Sequence, residues 1–145
     1  MTINDLLNTT LLKPKQKDMV SKVLTCFPQE EETLNITLAN FDLKEVEKHF
    51  QQGENSFLIF KERASRALLC IRTEASISFS CSEKDIPFMS TLNIKEDCVS
   101  ADVWQAVGTN AEHEYKIKDD KLIHELILST YPGIEQGYTQ EEVQL

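Results

Sequence analysis

The chain has 145 residues, 41% of them apolar and 27% charged, which suffices for one domain with a core of its own and no need of disulfide or metal staples. A net charge of −9 argues against a protein that coats nucleic acid, because affinity there comes from neutralising phosphates with Lys and Arg. No segment approaches the run of about eighteen apolar residues that a membrane helix needs, and Asp5 interrupts any leader-like start, so a cytoplasmic protein without a membrane span is expected.

Ile3, Leu6 and Leu7 suggest a short amphipathic turn capped by Thr2 or Asn4. Beyond Pro14, the apolar residues Met19, Val20, Val23, Leu24 and Phe27 have helical spacing over 15–27, although Lys22–Phe27 also carries strand formers and leaves an extended reading open. Gln29–Glu32 is an acidic turn. Leu34, Ile36 and Leu38 alternate with polar neighbours and predict a strand over Thr33–Asn40. Leu43, Val46 and Phe50 mark one face of a short helix, with Asp42 as its cap and Gly53 as its stop.

Phe57–Phe60 reads as a strand covered on both faces, and Ala64, Ala67, Leu68 and Ile71 as a helix. Ile77, Phe79 and Cys81 alternate with Ser76, Ser78 and Ser80, the cleanest strand pattern in the chain. Asp85–Asp97 reads as a loop with an extended piece at Met89–Ile94. Val99–Gly108 and Ala111–Ile117 read as paired strands. Asp119 or Asp120 opens a helix striped by Leu122, Ile123, Leu126 and Ile127 and closed at Pro132-Gly133, and the acidic tail from Ile134 is expected to be loose.

Phe57–Cys81 (FLIFKERASRALLCIRTEASISFSC) holds Lys61, Arg63, Arg66 and Arg72, a local concentration of base in an acidic chain. A basic turn at a helix start is where a phosphate would settle, so Lys61, Arg63, Ser65 and Arg66 form a candidate clamp. The competing reading is a solvated turn whose charges balance acidic neighbours. Trp104, the sole tryptophan, either borders a flat ligand or a dimer contact or is a half-buried residue under a helix. His49, His113 and His124 have no carboxylate or cysteine at metal-ligand spacing, and Cys26, Cys70, Cys81 and Cys98 form no C-x-x-C pair. No metal is therefore expected, and the cysteines are expected to be reduced and mostly buried, with Cys70 beside Arg72 the one candidate for a reactive thiol. No residues define a catalytic acid or base.

Two stretches carry a family resemblance. Phe57–Phe60, then Ser65-Arg66-Ala67, then Ser76–Ser80 stand as an apolar strand, a Ser-Arg turn and an alternating strand. Val103–Tyr131, which contains WQAVGTNAEHEYKIKDDKLIHELILSTY, stands as a V-x-G-x-A-E strand pair followed by a charged turn and a helix. In these the chain resembles the pyridoxamine 5'-phosphate oxidase-like superfamily, the FMN-binding split barrels. It departs from that pattern at Gln29–Glu32, where a Gly-x-Pro turn is usual, at the extra helix over 43–53, and at Ala67, where a Lys is usual. The resemblance implies an α+β fold, a small antiparallel β-barrel with flanking helices, spanning residues 1–133 with a helical segment at its N-terminus and the tail at 134–145. It implies a homodimer binding FMN through Lys61, Arg63, Ser65 and Arg66 with Trp104 nearby, and an oxidoreductase if an enzyme. A haem-handling relative of the same barrel is a weaker variant, since no histidine is placed as an axial ligand. The alternative from another class is a small acidic interaction module, such as a secretion chaperone or an immunity-type protein, that binds a basic partner and catalyses nothing.

Overall fold

The structure, a computed structural model, describes residues 1–62, 65–83, 89–106, 108–130 and 133–145, with 105 and 106 described by backbone alone. Helices come first: α1 (Ile3–Leu7), α2 (Pro14–Cys26) and α3 (Glu31–Leu38). Nine strands follow: β1 (Val46–Gln52), β2 (Asn55–Phe60), β3 (Arg66–Arg72), β4 (Ser76–Glu83), β5 (Met89–Lys95), β6 (Cys98–Ala106), β7 (Thr109–Lys118), β8 (Lys121–Thr130) and β9 (Ile134–Gln144). Each strand pairs antiparallel with the next, in the order β1 to β9, so the sheet is an uninterrupted meander.

This overturns the expected split barrel with flanking helices. β1 and β9 stand at opposite ends of the strand order, so the sheet is open. The segments expected to form helices over 43–53, 64–71 and 119–131 are largely strand: β1 preceded by a 3-10 turn at Leu43–Glu45, β3, and β8. Among the described residues no helix is thus left between strands to flank a barrel, and the helices gather as one layer ahead of the sheet. Ile134–Gln144, expected as a loose tail, is the edge strand β9.

The reasons are local. In β3 and β8 apolar residues occupy both faces, Leu68 and Cys70 inward with Leu69 and Ile71 outward, and Leu122 and Leu126 inward with Ile123 and Ile127 outward. An apolar run of this kind satisfies a helical stripe as readily as a two-sided strand. Turns decide the matter. Asp119 and Asp120 both have positive φ (53° and 59°) and join Lys118 to Lys121, the backbone that a two-residue hairpin of the I′ type demands and that Asp tolerates. Gly53, at φ 63°, serves the β1–β2 hairpin in the same way instead of ending a helix. Thr33–Asn40 goes the other way. Leu34, Thr37 and Leu38 are buried while Ile36 is exposed, and Glu31 and Glu32 lie in the first turn, where carboxylates suit the helix dipole.

The helical layer covers one face of the sheet. α2 starts with Pro14 at its first position, and the side chain of Gln16 accepts from the backbone N–H of Lys13 at 2.9 Å. α1 is held by a capping box between Thr2 and Asp5. Met19, Val20 and Val23 of α2 and Leu34 and Leu38 of α3 pack on Ile77, Phe79, Leu92, Ile94, Val99, Val103, Tyr115 and Leu122. Phe41, where the chain leaves α3, is fully buried and meets Phe60 and Phe79 edge to face, at centroid distances of 4.9 and 5.3 Å.

The opposite face carries no helix among the described residues. Its pairing register aligns one residue per strand in a row across the sheet: Phe50, Phe57, Ile71, Ser78, Asn93, Ser100, Glu114, Glu125 and Gln140. The neighbouring row runs Lys48, Ile59, Leu69, Ser80, Thr91, Asp102, Glu112, Ile127 and Tyr138. The first row passes from apolar at Phe50, Phe57 and Ile71, through hydroxyl and amide at Ser78, Asn93 and Ser100, to acid at Glu114 and Glu125. The second is apolar at Ile59 and Leu69, hydroxyl at Ser80 and Thr91 and acidic at Asp102 and Glu112, with Lys48 and Ile127 departing from that gradient at its ends.

Candidate functional sites on the two faces of the sheet

The residues nominated by the sequence do not gather into one site. The guanidinium of Arg66 donates to Asn40 Oδ1 at 2.7 Å and pairs with Glu83 at 3.1 Å, so it ties the loop after α3 to β4. Ser65 has φ 63°, strained for a residue with a Cβ, and lines a groove of about 560 Å³ with Ile59, Leu69, Met89, Glu47 and Glu62. Lys61 is exposed and its backbone N–H donates to Glu45 O at 2.9 Å. Arg63 lies outside the described residues. Trp104 is half-buried on β6, opposite Asn110 and three strands from Ser65 and Arg66, about 14 Å at ordinary strand spacing.

Cys70 faces the core on β3, fully buried, and burial pushes its thiol up to about 12. A thiolate there is inaccessible at neutral pH, which removes the basis for a reactive cysteine beside Arg72. In thiol labelling of the folded protein, Cys26 and Cys98, both half-buried, are expected to react well before Cys70 and Cys81. Labelling of Cys70 at a rate matching denatured protein would contradict its placement.

On the helix-covered face the structure assembles a polar cluster that residue spacing did not connect. Tyr115, His124 and Glu141 align across β7, β8 and β9, and His113 lies two residues from Tyr115 on the same face of β7. Glu30, from the 3-10 turn Pro28–Glu30 between α2 and α3, reaches down onto them. His113 Nδ1 lies 3.0 Å from His124 Nε2, and His124 Nδ1 lies 3.5 Å from Glu30 Oε1. Glu30 Oε2 accepts from the Tyr115 hydroxyl at 3.1 Å and the Thr33 hydroxyl at 2.9 Å.

The rings of Tyr115 and His124 stack at 4.5 Å, and Phe27 closes over both. His113 and His124 are buried. Burial lowers the His113 pKa, the Glu30 carboxylate opposes that shift, and His124 adds to it. Burial and the adjacent Glu30 carboxylate raise the Tyr115 hydroxyl well beyond the phenolic range, so it stays a donor. The arrangement brings two imidazoles and a carboxylate to within 4.8 Å of one another in a mostly buried setting. The signal for it was the Asp119-Asp120 hairpin: reading β8 as a strand in that register places His124 opposite Tyr115 and diagonal to His113.

On the uncovered face, Asp102, Glu112, Glu114 and Glu125 surround a hollow of about 210 Å³ with Ser100 and Ile127. Lys116 bridges Glu114 at 3.3 Å and Glu125 at 3.5 Å, and Asn110 donates to Asp102 at 2.6 Å. One cation against four carboxylates leaves the hollow acidic. No helix among the described residues is long and apolar enough to cross a membrane. No protein-family model matches the chain, and neither does any curated protein or solved structure.

Proposed function

We propose that this chain is a non-catalytic binding module whose uncovered sheet face takes a basic, partly apolar segment of another protein. The observation that carries this reading is the uneven face, apolar at Phe50, Phe57, Ile59, Leu69 and Ile71 of β1–β3 and acidic at Asp102, Glu112, Glu114 and Glu125 of β6–β8. A segment with arginine or lysine at one end and apolar side chains at the other matches both halves at once. The carboxylates steer encounter and set orientation, while Phe50, Phe57, Ile59, Leu69 and Ile71 offer apolar area to bury. A second copy of the chain fits the acidic half poorly, since a two-fold contact through that half lays carboxylates against carboxylates.

The test is titration of a labelled peptide of about a dozen residues, arginines followed by leucines, a length that crosses the sheet at roughly 3.3 Å per residue. Binding is expected to weaken at least about tenfold in a Glu112→Lys/Glu125→Lys protein and to fall with added salt. Glu31→Lys/Glu32→Lys changes the net charge equally on the helical layer and is expected to bind as the parent does. Equal losses in the two proteins would reduce the interaction to net charge and sink the assignment of the face.

A second reading, FMN as ligand, keeps one observation: Ser65 lines an apolar-walled groove large enough to admit a flat ring. Glu47 and Glu62 on the same groove oppose a phosphate, and the Arg66 guanidinium is engaged elsewhere. Flavin bands in the protein as purified, or saturable quenching of added FMN that Ser65→Ala weakens, would favour this reading over the first.

A further inference from the structure

We propose that Glu30, His113 and His124 form a binding site for a borderline divalent transition metal, with zinc as the best-suited ion. This site is separate from the face that takes a polypeptide, because it lies between the helical layer and the sheet. Three observations converge on it. The ligand atoms come within 4.8 Å of one another, and the closest, His113 Nδ1 and His124 Nε2, are 3.0 Å apart. Bonds of about 2.1 Å in a tetrahedral shell place ligand atoms about 3.4 Å apart, so the histidine nitrogens must part by a few tenths of an ångström. The rings, now nearly parallel with centroids 5.3 Å apart, must tilt toward the ion, and the carboxylate must close in from within 4.8 Å.

The donor set is two imidazoles and one carboxylate, the mixture that zinc accepts with a fourth position open to water or another ligand. The surroundings also complete the arrangement. With His124 Nε2 turned to the metal, its Nδ1–H faces Glu30 Oε1 at 3.5 Å and Glu141 Oε2 at 3.9 Å. A carboxylate on the far nitrogen fixes the tautomer and raises the basicity of the ring.

Glu30 Oε2, which lies 4.0 Å from His113 Nδ1, is oriented by the Tyr115 and Thr33 hydroxyls. Two histidines on the inward parity of β7 and β8, among Ala111, Tyr115 and Leu122, stand where apolar side chains would pack at less desolvation cost. Their contacts with each other and with Glu30 offset part of that cost, and a bound metal would offset more. The ion would also clip the turn before α3 to the C-terminal half of the sheet, so binding should stabilise the fold.

The experiment uses the full chain, stripped with chelator and titrated with zinc chloride by calorimetry and thermal unfolding, and with cobalt chloride by visible absorption. One equivalent is expected to bind, to raise the unfolding temperature, and to give the intense absorption of four-coordinate cobalt. His113→Gln and His124→Gln are expected to lose at least about a hundredfold in affinity, and Glu141→Gln, which removes only a carboxylate facing His124 Nδ1, to lose roughly 10–100-fold. His49→Gln, on exposed β1, is expected to bind as the parent does. Should the histidine variants fail to fold, nitrogen-15 spectra of the parent decide, because zinc must shift the imidazole nitrogens of His113 and His124 and leave those of His49 in place. Absence of stoichiometric binding, or zinc shifts confined to His49, would overturn the site.

Discussion

Truncating Phe41 to alanine is expected to lower stability by about 3–5 kcal/mol, a large part of the roughly 5–15 kcal/mol that holds an ordinary domain together. Phe41 is fully buried, and its ring meets Phe60 of β2 and Phe79 of β4 near the perpendicular, at 89° and 80°. Edge-to-face pairs of this kind contribute about 0.5–1.5 kcal/mol beyond their area. The loss should exceed that of an ordinary leucine site because the ring sits where the helical layer turns into the sheet. Main-chain partners on both sides, Met1 N–H donating to Phe41 O and Phe41 N–H to Leu38 O, restrict how far the site can collapse into the cavity. Urea unfolding of parent, Phe41→Leu and Phe41→Ala measures it. Leucine is expected to retain about half of the difference, and an alanine variant within 1 kcal/mol of the parent, roughly the cost of a minor core change, would mean that the ring is not packed as described.

Glu30→Ala is expected to cost about 2–5 kcal/mol when measured with chelator present. It leaves the Tyr115 hydroxyl, fully buried, and the His124 ring N–H without their carboxylate, and each buried donor left unpaired costs about 1–3 kcal/mol. Tyr115→Phe alone removes donor and demand together and should cost no more than about 1.5 kcal/mol. The double variant should therefore cost less than the sum of the two single changes, because in the absence of the hydroxyl the missing carboxylate strands one donor fewer. Glu30→Gln keeps an acceptor and should recover part of the loss. Additive single and double changes, or an alanine variant as stable as the parent, would place Glu30 in solvent and detach it from the cluster.

How far the fold can be read from the residues depends on how one-sided each segment is. Ser76–Glu83 is apolar on one face and serine on the other, and Ile77, Phe79 and Cys81 fall inward as their alternation requires. Leu122 to Ile127 is apolar on both faces, and the same letters then serve a helical stripe equally well. Only the pair Asp119-Asp120, read as a hairpin turn in place of a helix cap, separates the two. Leu34, Ile36 and Leu38 mislead in the opposite sense: their alternation is real, yet Ile36 is a surface residue of α3. The cluster of Glu30, His113 and His124 was out of reach for the same reason. Its members are far apart in sequence and meet only once β8 is a strand and the turn at Pro28–Glu30 lies over it. Arg66, nominated by the sequence for a phosphate clamp, pairs with Glu83 and donates to Asn40, partners that its local sequence does not name.

The order of the helices ahead of the meander has a consequence for biogenesis. A sheet built only from sequential hairpins can grow strand by strand as the chain leaves the ribosome, since each new strand finds its neighbour already in place. The helical layer has no such luck: roughly 90 residues separate the end of α3 from the end of β8, about 5–18 s of synthesis at 5–20 residues per second. Through that interval the apolar sides of α1, α2 and α3 have no finished surface to lie on, and they are the segments a nascent-chain chaperone would hold.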